Sequence, residues 1–189
     1  MKNRFVQEIE AAPIIGAVKT REGLRKCLSS EVGVIFILFG DICDIGEIAE
    51  VVKSSGKLAM VHMDLIAGLA PKEIAVDFIR KYTGADGIIS TKPLLIRRAK
   101  ELGLFTVQRF FAIDSLAYEN IPRQLAAGQP DVIEVLPGLM PKVIRRLSAS
   151  CSVPIIAGGM IEDREDVMAM LDAGAAAIST TNERTWFLL

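Results

Sequence analysis

Short β-branched runs alternate with helical stripes along the whole chain, eight times over, and that alternation leaves few folds open. The runs lie at 14–18, 33–38, 58–62, 86–90, 105–109, 132–136, 154–157 and 175–180. They are apolar almost without interruption, as strands covered on both faces must be. Between them the apolar period lengthens to that of a helix: Ile45, Ile48, Ala49 and Val52 share one stripe, and Val167, Met170, Leu171 and Gly174 another. Strands that alternate with crossover helices are parallel, and eight such units predict a closed (βα)8 TIM barrel, an α/β fold. An open doubly wound sheet is the alternative, although it normally needs fewer strands and a switch point. A chain of 189 residues that is 51% hydrophobic supports one core, so residues 1–189 are expected to form a single domain. Eight units in that length leave no room for an inserted domain or long lid, and function must sit on short βα loops.

Punctuation adds detail. Pro71 and Pro141 suit first-turn helical positions, and Pro122 is expected to divide the fifth connection into a turn near Ser115 and a helix from about Ile121. The segment before Pro13 predicts a short helix that plugs the bottom of the barrel with Phe5 and Ile9 inward.

Charge excludes several function classes. With 22 basic and 23 acidic residues there is no global field to attract a polyanion, so any such partner needs a local patch. Cys27, Cys43 and Cys151 lack zinc-like spacing and His62 is the only histidine, so no metal is expected and the cysteines fit a reducing compartment. The first eight residues carry no apolar run behind their charges, and the stretch 32–39 is far shorter than the roughly 20 residues of a membrane-spanning helix. A cytoplasmic protein without a membrane partner is expected.

The strongest local signal is Ile155-Ile156-Ala157-Gly158-Gly159, followed one helix later by Ser179-Thr180-Thr181-Asn182. In barrels of this kind the loops after strands seven and eight, with the amino end of a short helix, form a phosphate site. Gly158 and Gly159 let amide groups approach an anion, and the Ser179, Thr180 and Thr181 hydroxyls add donors. The same residues also suit a tight turn and a helix cap. His62 and Asp64, two apart, lie on one side of an extended strand. With Ser90 and Lys92 after strand four, Arg109 on strand five, and Glu134 and Gly138 on and after strand six, they form the expected barrel mouth. Glu134 is flanked by Ile133 and Val135, so its carboxylate needs a cation, and Arg109 is the natural partner. Two modest basic clusters, Arg97, Arg98 and Lys100, and Arg145 and Arg146 beside Lys142, read most simply as solvated helix faces.

Five stretches taken in order resemble one known family: His62-Met63-Asp64-Leu65-Ile66-Ala67-Gly68-Leu69, then Ala85 to Lys92, Gln108 to Ser115, Gln129 to Gly138 and Pro154 to Gly159, closing with Thr180-Thr181-Asn182 before Trp186. The family is that of the bacterial glycerol uptake operon antiterminators. The resemblance implies a regulator that senses glycerol 3-phosphate as its effector, with no other cofactor, and acts on leader mRNA to prevent premature termination of glycerol-utilisation transcripts. It implies no catalytic residue. RNA is then expected on an outer surface, through Arg97, Arg98, Lys100, Arg145 or Arg146, and a near-neutral chain would multiply such a patch by forming a homo-oligomer. The loop Ala67-Gly68-Leu69-Ala70-Pro71 offers no basic residue for RNA. The competing function is a sugar-phosphate isomerase, lyase or aldolase, since barrels host many. His62, Asp64 and Glu134 could serve as acid and base, but the sixth strand has no lysine for a Schiff base.

Overall fold

Eight parallel strands close on themselves in sequence order in the computed structural model, which describes residues 4–188. They are β1 (Ile14–Val18), β2 (Val34–Ile37), β3 (Leu58–His62), β4 (Gly87–Ser90), β5 (Phe105–Phe111), β6 (Val132–Leu136), β7 (Ile155–Gly158) and β8 (Ala177–Thr180). Pairing of Ile14 with Ile178 and of Gly16 with Thr180 closes the ring. Helix α1 (Arg4–Ala11) precedes the first strand. The crossovers are α2 (Arg21–Leu28), α3 (Ile45–Ser54), α4 (Glu73–Tyr82), α5 (Pro93–Glu101), α6 (Ser115–Gly128) and α7 (Pro141–Ser150), and α8 (Arg164–Asp172) links β7 to β8. Three-residue 3-10 turns follow β3 (Met63–Leu65) and β8 (Thr185–Phe187).

Two apolar shells follow from strand alternation. Alternate residues, among them Ile15, Ala17, Val34, Phe36, Met60, Ile89, Val107, Val132, Ile156 and Ala177, fill the interior. Their neighbours, such as Ile14, Val18, Ile35, Val61, Ile88 and Ile133, pack under the helices. The α3 stripe of Ile45, Ile48, Ala49 and Val52 is wholly buried in that outer shell. Helix α1 places Phe5, Val6 and Ile9 in the interior shell, and Phe5 stacks on Phe105 at the first position of β5, so the helix closes the amino-terminal end.

Two details of punctuation are corrected. Helix α6 runs unbroken through Pro122. That proline faces solvent, where water can satisfy the carbonyl its missing N–H leaves free. The helix is also held at both ends, by the Asp114 carboxylate accepting from the Ala117 N–H and by Gln129 in the left-handed region. Pro71 stands before the helix cap Lys72 rather than inside α4, whereas Pro141 does open α7.

Candidate functional site

The alternation that fills the barrel also decides what reaches its open end. Continuing the interior phase past Ala17 brings Lys19 to the carboxyl rim, past Val107 Arg109, past Val132 Glu134, and past Ala177 Ser179. All four line a cavity of about 560 Å3 at the carboxyl ends of the strands, within the range of small-molecule sites. Gly159, Thr180 and Thr181 form the wall beyond β7 and β8, with Met160, Glu162 and Asn182 beside them. Leu38, Leu65, Leu136 and Ile161 give the cavity its apolar sides.

A polar network forms the floor. Glu134 is buried and accepts from Arg109 Nε at 2.5 Å and from Ser179 Oγ at 2.5 Å. The cross-strand register that puts Arg109 opposite Glu134 makes the ion pair possible. Gly158 does not line the cavity. A Cβ there would stand 2.5 Å from Ser179 Oγ and 2.7 Å from Glu134 Oε1, so its role is to leave space for this network. Gly159, at φ +80, needs the left-handed region that glycine enters without strain.

Thr180 holds the wall together. Its hydroxyl donates to the Ile161 carbonyl at 2.7 Å and accepts from the Asn182 N–H at 3.0 Å, while its own carbonyl accepts from Trp186 Nε1. Asn182 Nδ2 and Thr185 Oγ1 both donate to the Glu162 carbonyl. The loops after β7 and β8 thus form one stitched surface. Among the described residues, the Gly159, Met160 and Thr181 amides and the Thr181 hydroxyl have no protein acceptor. The amino end of α8 is already occupied by its own carboxylates, with Asp163 capping the Asp166 N–H and Asp166 accepting from the Glu162 N–H.

Charge is unevenly satisfied around the mouth. Arg109 is paired with Glu134 and Lys92 with Asp64, whereas Lys19 is exposed on the cavity wall with no ion pair among the described residues. Sequence reasoning missed Lys19, although its phase with Ile15 and Ala17 was the signal that could have found it.

A second cluster stands beside the cavity. The strand stops at His62 and turns, so Asp64 does not share a strand face with it. The Asp64 carboxylate instead accepts from the Thr91 N–H at 2.8 Å, Thr91 Oγ1 at 3.0 Å, Lys92 Nζ at 2.9 Å and Ser90 Oγ at 3.1 Å. Burial alone would raise its pKa, but the Lys92 and Thr91 hydrogen bonds hold it below the ordinary carboxylate range. His62, Asp64, Ser90 and Lys92 lie outside the cavity lining, as does Gly138, whose N–H donates to the Gly159 carbonyl. His62 is 2% exposed, and no other described residue hydrogen-bonds either ring nitrogen. Its pKa is pushed down to about 4, first by burial and then by the Arg109 guanidinium.

The two basic clusters differ in kind. On α5, Arg98 is held by Asp77 and Glu101, and Lys100 faces Asp131 at 3.5 Å, whereas Arg97 has no ion pair among the described residues. On α7, Arg145 and Arg146 have no ion pair among the described residues. Among the described residues no group of three His, Cys, Asp or Glu side chains is arranged to hold a metal, and no helix is long and apolar enough to cross a membrane.

Residues 14–186 match the glycerol-3-phosphate responsive antiterminator family. An uncharacterized protein of Escherichia coli (strain K12), YgcP, is 42% identical over 176 residues, which is 93% of this chain and 92% of that protein. The crystal structure of a glycerol uptake operon antiterminator regulatory protein from Listeria monocytogenes superposes with a TM-score of 0.89 at 32% identity, covering 93% of this chain and 95% of that one. A glycerol uptake operon antiterminator-related protein from Thermotoga maritima gives a TM-score of 0.81 at 36% identity over 92% and 96% of the two chains.

Proposed function

The chain belongs to the glycerol-3-phosphate responsive antiterminator family, and on that premise we propose that it binds glycerol 3-phosphate in the 560 Å3 mouth cavity and, so loaded, binds leader mRNA and prevents premature termination of glycerol-utilisation transcripts. The observation that carries the ligand reading is a cation, Lys19, with no ion pair among the described residues, lining the same cavity as Gly159, Met160 and Thr181, whose amides have no protein acceptor among those residues. An anion there would gain a charge-assisted hydrogen bond and several backbone donors at once. Thr181 offers its free hydroxyl, whereas Thr180 and Ser179 support the wall and the floor through hydrogen bonds already made. The glycerol hydroxyls would meet Arg109 and the Glu134 carboxylate at the floor.

On this reading the barrel binds its ligand and returns it unchanged. Calorimetry with glycerol 3-phosphate, with product analysis on the same sample, tests both halves. At about 100 times its dissociation constant the ligand should stabilise the fold by about 2.7 kcal/mol, a midpoint rise of roughly 5–10 °C for a domain of this size. Glycerol alone, lacking the anion, should produce little. Equal shifts from the two compounds, or conversion of the ester, would reject the assignment.

Lys19 supplies a sharper prediction. A hydrogen bond to a charged group contributes about 1.5–3 kcal/mol, so Lys19→Gln should weaken glycerol 3-phosphate binding by roughly 10- to 150-fold. Lys19 is exposed and has no ion pair among the described residues, so the unliganded midpoint should stay where it was. Unchanged affinity would move the phosphate away from this wall.

A further inference from the structure

Helix α7, Pro-Lys-Val-Ile-Arg-Arg-Leu-Ser-Ala-Ser, carries three cations and no acidic residue. Lys142, Arg145 and Arg146 are spaced i, i+3 and i+4 and so share one face. All three are exposed and none makes an ion pair among the described residues, while Ile144 and Leu147 anchor the opposite face in the core. The contrast with α5 is direct, because there Asp77, Glu101 and Asp131 already occupy Arg98 and Lys100.

Beside this face runs a groove of about 340 Å3 between α7 and the start of α6. Arg146 and Val143 form one bank, Tyr118 and Glu119 the other, and Ile113 and Asp114 the upper end. Ile113 is 75% exposed. The Glu119 carboxylate, and the Asp114 oxygen that does not cap the Ala117 N–H, make the groove a poor seat for a phosphate but a good acceptor for the N–H edge of a nucleobase, which an aromatic side chain can stack.

Resting on the RNA reading above, we infer that α7 and this groove form the RNA face: Lys142, Arg145 and Arg146 hold the phosphates of a single strand. One unstacked base enters the groove against Tyr118, its N–H edge on Glu119 and Asp114. A duplex would not serve, since its bases are stacked and paired and its backbone would meet the carboxylates. The face is also wired to the mouth. Ala112 at the groove, the residue after β5, donates its N–H to the carbonyl of Leu136, which lines the ligand cavity, and Arg109 lies three residues earlier, on β5. Ligand at the Arg109–Glu134 floor therefore bears on both strands that lead to the groove.

The test is filter binding of a labelled 30-nucleotide random-sequence RNA pool at several salt concentrations, with and without saturating glycerol 3-phosphate. Wild-type protein should bind, more tightly with ligand by about 5- to 150-fold. The triple substitution Lys142→Gln, Arg145→Gln and Arg146→Gln should weaken binding at least about tenfold and reduce the slope of log affinity against log salt by about 2. Tyr118→Ala should weaken binding by about 5- to 150-fold with the slope unchanged. Arg97→Gln with Lys100→Gln on α5 should change neither. Circular dichroism melts verify that each variant is folded. If the α7 triple variant binds like wild type, or the α5 pair loses as much, the α7 face is wrong while the antiterminator reading stands. If liganded wild type binds neither this pool nor the operon's own leader RNA, both fall.

Discussion

Replacing Arg109 with methionine should lower the stability of the barrel by about 3–5 kcal/mol, a drop of roughly 6–20 °C in Tm, and abolish tight ligand binding with it. The Glu134 side chain is 1% exposed and that of Arg109 10%. Removing the guanidinium leaves a carboxylate inside the barrel with Ser179 as its remaining hydrogen-bond partner. Desolvation of that charge, rather than loss of the pair's own attraction, supplies most of the penalty. The double variant Arg109→Met, Glu134→Leu should accordingly recover much of the lost stability, since no charge is then stranded. Urea denaturation of the two single variants and the double closes a mutant cycle. An Arg109→Met variant as stable as wild type would mean that water reaches the carboxylate, and the described floor would be wrong.

The fold was legible because its signal is local and repeated. Strands covered on both faces read as unbroken apolar runs, and three expected ranges, 14–18, 58–62 and 132–136, match β1, β3 and β6 residue for residue. The Arg109–Glu134 pair was legible for a chemical reason: a carboxylate between Ile133 and Val135 must find a cation, and the facing strand offers one. Features made by residues far apart in the chain were not. Nothing near Gly158 in sequence announces that its missing Cβ makes room for Ser179 and Glu134, which are 21 and 24 positions away. The Thr180 hydroxyl invited a ligand reading because Ile161, 19 residues earlier, could not be seen to claim it. Asp64 departs from the strand because the donors of Ser90, Thr91 and Lys92 converge on it, and strand periodicity has no term for such a pull. Lys19 looked like an ordinary loop lysine; only its phase with Ile15 and Ala17 places it on the cavity wall.

Acid should destabilise the protein well above the pH at which its carboxylates protonate, and His62 is the cause. Its ring is buried and no other described residue hydrogen-bonds either nitrogen, and burial, reinforced by the Arg109 charge, pushes its pKa down to about 4 from 6.5, against the opposing pull of Asp64 and of the residue's own backbone. In the unfolded chain the imidazole takes its proton near 6.5, whereas in the folded barrel it stays neutral to about 4. Between those values the unfolded state binds more protons, so stability falls as pH decreases. The stabilisation is fully present above pH 6.5 and is lost progressively towards 4, amounting to about 3 kcal/mol. Asp64, whose pKa is held below its ordinary 3.8, adds its own loss beneath that window, so the interval from about 6 to 4.5 reports mainly on the histidine. A His62→Leu variant, which presents no titrating ring, should show a flat stability across that interval. Because the chain contains a single histidine, its ring resonance in the NMR spectrum of the native protein identifies itself and should not shift until the pH nears 4. A native ring that titrates near 6.5 would place His62 in contact with water and remove both the pH slope and the dry barrel interior from which it was argued.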